Sequence, residues 1–508
     1  MLPHLKFLML LSFFVCSATF ATASQHPLQV WIMPNGVNPQ GILEQRLELF
    51  TKETGIKTQV VVLDWGEAWS RISTALESGN NGPAVVQLGT SWVSHFASHG
   101  QLANLDPWLS EINPNRYIPV SWETTGIDGD ATVYSIPWFM DVRALLGNRR
   151  ILAEHGITAK DIATYEGFHK AIKKINDAKE TLPDGAPILG YAFPGKSDWN
   201  IPHNFAPWIW SSGGDFLVKK ADGHWESNLM NPHTITGIGK YLRFVLDSIV
   251  DNASLRDNTA QITQRFNNGE LAFILNTAEV VMQTRYQESM GGLAKAPIGS
   301  DGILVFPVPA GNAGSISFIG GSNLAIPKNM EKNENARKLL LFLTRDDNLE
   351  AYTSKIGFIP PTKTVLQSWA KDSIYNVLVK RLETGKAYPN IPNWGNVENE
   401  LIQLFSHIWE LMDVGGFYSE EAVYKALVEY NQKINDLLIV QNTGAVMDYD
   451  EFETIWRPAV NGSITSSEIT SSSAPEAKTE SQIPKTIGIL LVAMLFGFVY
   501  AFVRKRKG

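Results

Sequence analysis

The chain has 508 residues, too many for one hydrophobic core, so two or three domains are expected. It carries 43 Lys and Arg against 51 Asp and Glu, and the body is more acidic still once Lys6 and the basic C-terminal cluster are set aside, which argues against a nucleic-acid partner. The single cysteine, Cys16, excludes an intrachain disulfide and a cysteine metal cluster.

Residues 1–23 combine a weakly basic start (His4, Lys6), an apolar run from Phe7 to Val15 and small residues from Ala21 to Ala23, the pattern of a secretory signal peptide. The remainder is therefore expected to be exported. Leu28 to Met33 reads as a strand, and from Gly41 to Thr54 apolar residues recur at helical spacing until Gly55 supplies the stop. Ile56 to Leu63 is rich in β-branched residues, Glu67 to Ser78 is helical and closed by Gly79, and Ala84 to Leu88 is a third short apolar strand. This alternation predicts a parallel α/β sheet, whose ligands bind outside the carboxyl ends of the strands. The loops 34–40, 64–65 and 89–92 are thereby nominated as cleft loops.

Tyr134 to Asn148 sets Trp138, Phe139, Asp141 and Arg143 inside an apolar run. Buried charges are tolerated where they are paired or meet a ligand, so something polar should face Asp141 and Arg143. Pro137 cannot donate to a sheet ladder, and the run reads as a strand that ends and crosses into a new unit. Toward the C-terminus, Ser463 to Gln482 is rich in Ser and Thr with no apolar period and reads as a flexible stalk. Residues 486–503 form an apolar run followed by Arg504 to Lys507, expected to be a single membrane-spanning helix with its basic end inside. Ile483 to Ile487 resembles a sortase sorting signal, but Ile487 stands where glycine is required, so a retained anchor is expected.

Several segments together resemble the extracellular solute-binding proteins of family 1, the maltose-binding-protein-like sugar receptors of ABC importers. They are Phe50 to Val60, Gly79 to Val86, Leu88 to Trp92, Gly100 to Asp106, Tyr134 to Asn148, Gly213 to Phe216, Phe266 to Phe273, Gly320 to Ile326, Asn333 to Thr344, Gly357 to Pro360 and Tyr388 to Pro392. The resemblance runs over about residues 28–440 and lies in the order and spacing of these pieces. It implies an α/β, two-lobe periplasmic-binding-protein fold (type II, Venus-flytrap) with discontinuous lobes, to which the C-terminal transmembrane helix is appended. The N-lobe would comprise 24–141 and 310–357, the C-lobe 142–309 and 358–460, the stalk 461–485 and the membrane helix 486–503. Crossings are expected near Asp141, Pro309 and Phe358.

Sugars have apolar faces edged by hydroxyls, so a site for them needs flat rings for stacking and polar groups for directed hydrogen bonds. Of the 15 tryptophans, Trp65, Trp92, Trp138, Trp199 and Trp394 fall in loop-like stretches, whereas Trp208 and Trp210 lie in a helical run and are expected in the core. The resemblance carries ligand contacts to Trp65, Ser91 and Trp92 in the N-lobe loops and to Asp141 as an acceptor from sugar hydroxyls. It places His203 and Glu279 at positions where an aromatic ring usually stacks, and Trp394 in a segment that supplies a third ring. The departures at His203 and Glu279 favour a smaller or more polar ligand than a long maltodextrin. Gly320, Gly321 and Asn323 mark a close backbone approach, with an ordinary tight turn as the alternative. Trp138, Arg143 and Asn276 complete the candidate set.

The signatures of nucleophile elbows, zinc proteases, P-loops and dinucleotide folds are missing, so no enzyme, cofactor or metal is expected. His95 and His99, at helical spacing without a nearby acid, read as a solvated helix face. The expected partners are a small carbohydrate, ABC permease subunits and the membrane, for a monomer whose body lies outside the cell membrane. The alternatives are a ligand sensor acting through a partner protein, or a surface glycan-acting enzyme using Asp141 and Glu279 as its acid pair.

Overall fold

The computed structural model describes residues 26–79, 82–195, 198–413, 418–440 and 446–462. The signal peptide, most of the stalk and the membrane span expected from the sequence lie outside these residues. Among the described residues no helix is long and apolar enough to cross a membrane.

The strands in chain order are β1 (Leu28–Ile32), β2 (Thr58–Val62), β3 (Val85–Gly89), β4 (Ser135–Val142), β5 (Ala144–Asn148) and β6 (Leu189–Tyr191). They continue with β7 (Leu217–Lys219), β8 (Trp225–Ser227), β9 (Leu271–Asn276), β10 (Ile303–Phe306) and β11 (Ile319–Ala325). β7 and β8 form a small hairpin, and the others form two sheets.

The first sheet has the order β2-β1-β3-β11-β4. Its first three strands are parallel, as the alternating strand-helix pattern predicts, but β11 runs antiparallel to both β3 and β4, so the sheet is mixed. Side chains alternate across a strand: Val30 and Ile32 enter one core with Leu43, Leu47 and Phe50, while Trp31 and Met33 enter another with Ile72, Val86 and Leu88. Pro137 lies inside β4 after all. It is accommodated because β4 is the edge strand and its register against β11 shifts between Ser322 and Asn323.

The second sheet has the order β10-β5-β9-β6. Leu145 and Phe273 face a large aromatic core that contains Trp208 and Trp210, as expected, whereas Ala144, Leu146 and Ile274 face the opposite one. These two sheets are the centres of the two lobes.

The chain leaves the first sheet at Val142 and enters the second at Ala144, so Arg143 sits at the crossing. It leaves the second sheet after Phe306 and rejoins the first at Ile319. A third passage follows the helix Asp346–Ile356, where Met140 and Ile359 exchange backbone hydrogen bonds of 2.7 and 2.9 Å. The segments that link the lobes are thus tied to one another beside the cleft.

Candidate functional site

Local structure near the N-terminus sets the first wall. Asp64 caps the helix Trp65–Ser78 by accepting from the Gly66 amide at 2.8 Å, which places Trp65 on the first turn just past β2. The Trp65 indole donates to the Pro34 carbonyl at 3.1 Å and meets the Trp92 ring edge-on at 5.7 Å. The wall is therefore made of rings held by other rings and by backbone.

The opposite wall comes from the second lobe. Trp199, ahead of the helix Ile201–Ser211, stacks on Trp65 at 5.8 Å with the ring planes 16° apart. His203 lies one turn further along, flat against Phe318 at 4.4 Å, and its Nδ1 shares a 2.7 Å hydrogen bond with the Tyr388 hydroxyl. Glu279 opens the helix Glu279–Arg285 and accepts from the Gly36 amide of the other lobe at 3.0 Å. Gly36 has φ 66°, and a Cβ there would lie 2.1 Å from the Ile356 carbonyl oxygen, so the amide can be presented only from glycine.

Between these walls lies a cavity of about 1240 Å³. Of the residues singled out in the sequence, Trp65, Ser91, Trp92, Asp141, Arg143, His203, Asn276, Glu279, Gly320 and Gly321 line it. Asn276 also donates to Thr263 at 3.0 Å. The two glycines belong to β11, not to a tight turn, and Gly321 (φ 136°) leaves no room for a Cβ beside the Phe139 carbonyl.

Three candidates lie elsewhere. Trp138 is 1 % exposed and stacks on Tyr352 at 4.4 Å; strand alternation turns it away from the side on which Phe139, Asp141 and Arg143 meet the cavity. Asn323 is 1 % exposed, and its amide donates to the Thr124 carbonyl at 2.9 Å and the Ser135 hydroxyl at 3.0 Å, so it pins a turn to the sheet. Trp394 is fully buried against Tyr388, with ring centres 4.4 Å apart. Of the histidine pair, His99 is exposed as expected, whereas His95 is half-buried with its ring 4.8 Å from Trp69.

Sequence reasoning missed Glu398 and passed over Trp199. Glu398 stands one helical turn after Trp394 on the helix Trp394–Met412, faces the cavity, and accepts weakly from the Ser91 hydroxyl of the other lobe at 3.5 Å. The signal for it was the i, i+4 spacing from a tryptophan already under suspicion. For Trp199 the signal was a lone indole directly before a Pro-containing helix start.

Burial sets the electrostatics. It pushes the Glu279 carboxyl up to about 7, with the neighbouring Asp141 charge adding to the effect, and it pushes Glu398 up to about 7. Burial also raises Asp141, against the opposing pull of Arg143, and Asp141 Oδ1 is buried with no hydrogen-bond partner. Desolvation, helped by Arg143, holds His203 well below the ordinary imidazole range, so its ring is neutral near pH 7. The Arg143 guanidinium donates to Asn200, and its Nε is left without a partner. A buried free acceptor and a buried free donor beside exposed ring faces are fit to receive a polar ligand with flat apolar surfaces.

Residues 45–376 match the family model described as bacterial extracellular solute-binding protein. The chain is 26 % identical over 411 residues to the diacetylchitobiose binding protein DasA of Streptomyces coelicolor, covering 80 % of this chain and 89 % of that one. It is 22 % identical over 362 residues to the arabinooligosaccharide-binding protein of Bacillus subtilis, covering 68 % and 76 %. Among solved structures, maltose-bound MalE3 of T. maritima superposes with a TM-score of 0.68 at 19 % identity, over 81 % of this chain and 99 % of that one. The GacH receptor of Streptomyces glaucescens superposes with a TM-score of 0.66 at 18 % identity, over 82 % and 100 %. These matches agree with the two-lobe architecture and with a binding protein in place of an enzyme. The chain belongs to the bacterial extracellular solute-binding protein family.

Proposed function

We propose that the protein captures a mono- to oligosaccharide in the cleft between its lobes and delivers it to an ABC permease. The observation that carries this reading is the cavity itself, lined by indole rings from both lobes and by Asp141, which has a buried carboxyl oxygen with no partner. Ring faces take the apolar side of a sugar, and Asp141, Arg143 and Asn276 take its hydroxyls. The named ligands of the relatives, diacetylchitobiose, arabinooligosaccharide and maltose, support a carbohydrate.

In this reading 24–141 with 310–357 and 142–309 with 358–460 act as two jaws that close by hinge motion about the three passages. The C-terminal apolar segment tethers the body to the outer face of the membrane, which raises its effective concentration near the permease. Titration calorimetry of the purified full-length protein against a panel of neutral oligosaccharides tests the ligand class. Saturable heats without product formation are expected, and silence across the panel would refute a carbohydrate ligand. Mass spectrometry of the C-terminal peptide from cells tests the tether: a form ending at Thr486 and joined to cell wall would replace it with sortase attachment.

A further inference from the structure

We propose that the cleft selects carbohydrates bearing a protonated amine, with the amine seated between Asp141 and Glu279. This rests on the carbohydrate reading above and narrows it. The cavity gathers carboxyl groups from separate parts of the chain: Asp141 in β4, Asp198 ahead of the helix Ile201–Ser211, Glu279 and Glu398. Asp198 is already engaged, accepting from the Asn200 amide at 2.7 Å and the Thr259 amide at 2.6 Å. The other three form no ion pair with a lysine or arginine among the described residues, and the charge of Arg143 acts on Asp141 and Glu279 without contact. Arg143 turns its guanidinium to Asn200 and forms no ion pair among the described residues. Lys295, also on the cavity wall, is drawn 3.5 Å from Glu288 at its rim. His203, 3.8 Å from Glu398, is uncharged near pH 7 and adds nothing to the balance.

A neutral sugar can give Asp141 Oδ1 a hydroxyl donor, but it leaves the repulsion between Asp141 and Glu279 in place. An ammonium group relieves it, because it brings three donors and a full charge to a desolvated point where charge-assisted hydrogen bonds are strongest. Glu279 is already steadied by the Gly36 amide, so it can meet such a group without reorganising. The stacked Trp65 and Trp199 rings suit the same ligand, since ring faces attract both sugar faces and cations. With the carboxyl of Glu279 held up near 7 in the free protein, an arriving ammonium drives its proton into solvent, so binding near pH 7 should release about half a proton per site.

The test is calorimetry on the full-length protein at pH 7, with a β-linked disaccharide carrying a 6-amino-6-deoxy group, whose alkyl amine is fully protonated at that pH, and its N-acetylated counterpart, each in two buffers of different ionisation enthalpy. The amine form should bind at least about tenfold more tightly, the scale on which a charge-assisted hydrogen bond exceeds a neutral one. Buffer-dependent heat from proton release should accompany the amine form alone, and Glu279→Gln should abolish that release and most of the preference. If this variant fails to fold, the buffer comparison on the unmodified protein decides. Equal affinities, tighter binding of the N-acetylated sugar, or binding confined to other neutral sugars would overturn the amine proposal and leave the carbohydrate reading standing. Failure of every sugar to bind would remove the carbohydrate reading itself.

Discussion

The two walls of the cleft are built from different materials. The wall from the first lobe is a set of indoles, Trp65, Trp69 and Trp92, locked edge to face and tied to backbone. The wall from the second lobe adds to the ring of Trp199 a set of buried ionisable groups, His203, Glu279 and Glu398, each displaced from its ordinary titration range by burial. A wall of rings is insensitive to pH and gives shape; a wall of buried acids responds to every charge brought near it. Recognition is thereby divided between rings, most of them in the first lobe, that read the ligand's faces, and acids, most of them in the second, that read its donors.

The largest effect that would blur this division comes from the packing behind it. Trp394→Ala removes a fully buried indole stacked on Tyr388, and should cost about 3–5 kcal/mol of stability in chemical denaturation, the range for large aromatic deletions. A near-neutral result would return Trp394 to the ligand surface. Next comes Asp141→Ala, which should cost about 1.5–3 kcal/mol of ligand affinity with the fold intact, the range for hydrogen bonds to charged groups. Unchanged affinity in the folded variant would take Asp141 out of the site.

The acidic wall should also make stability depend on pH. Glu279 and Glu398 are held up near 7 in the folded protein against an ordinary 4.5 when unfolded, so the native state binds more protons between those values. Stability should therefore fall as pH rises through that window, by at most about 1.4 kcal/mol per pH unit for each group. Denaturation midpoints taken from pH 5 to 8 check this, and a Glu279→Gln, Glu398→Gln double variant should flatten the profile. The smallest expected effect is on the stacked rings. Trp199→Ala should remove about 0.5–1.5 kcal/mol of interlobe stacking, the range for an aromatic pair, and leave the pH profile unchanged. A changed profile would mean that the two walls are not independent.

Much of the fold was legible because it rests on local periodicity. The strand and helix alternation up to β3 and the core placement of Trp208 and Trp210 follow from spacing and composition. The antiparallel entry of β11 was not legible, because it pairs residues far apart in the chain, such as Ile319 with Val142 and Ser322 with Gly89, and leaves no local mark. The tolerance of Pro137 within a strand depends on that same pairing, which makes β4 an edge. At the site, the segment could be read but the facing residue could not. Trp394 and Glu398 share a helix, and only the packing of Tyr388 against the indole decides which of them meets the cavity. Trp138 and Asp141 differ in strand parity, a distinction that needs the exact start of β4.

The stacked pair of Trp65 and Trp199 has an optical consequence. Two indoles 5.8 Å apart and nearly parallel couple their electronic transitions, and because one ring belongs to each lobe, the coupling exists only while the lobes face each other at this distance. Near-ultraviolet circular dichroism should therefore carry a paired band that vanishes when the jaws part or when a sugar ring slides between the indoles. The molecule thus contains its own gauge of jaw separation, readable without any attached label.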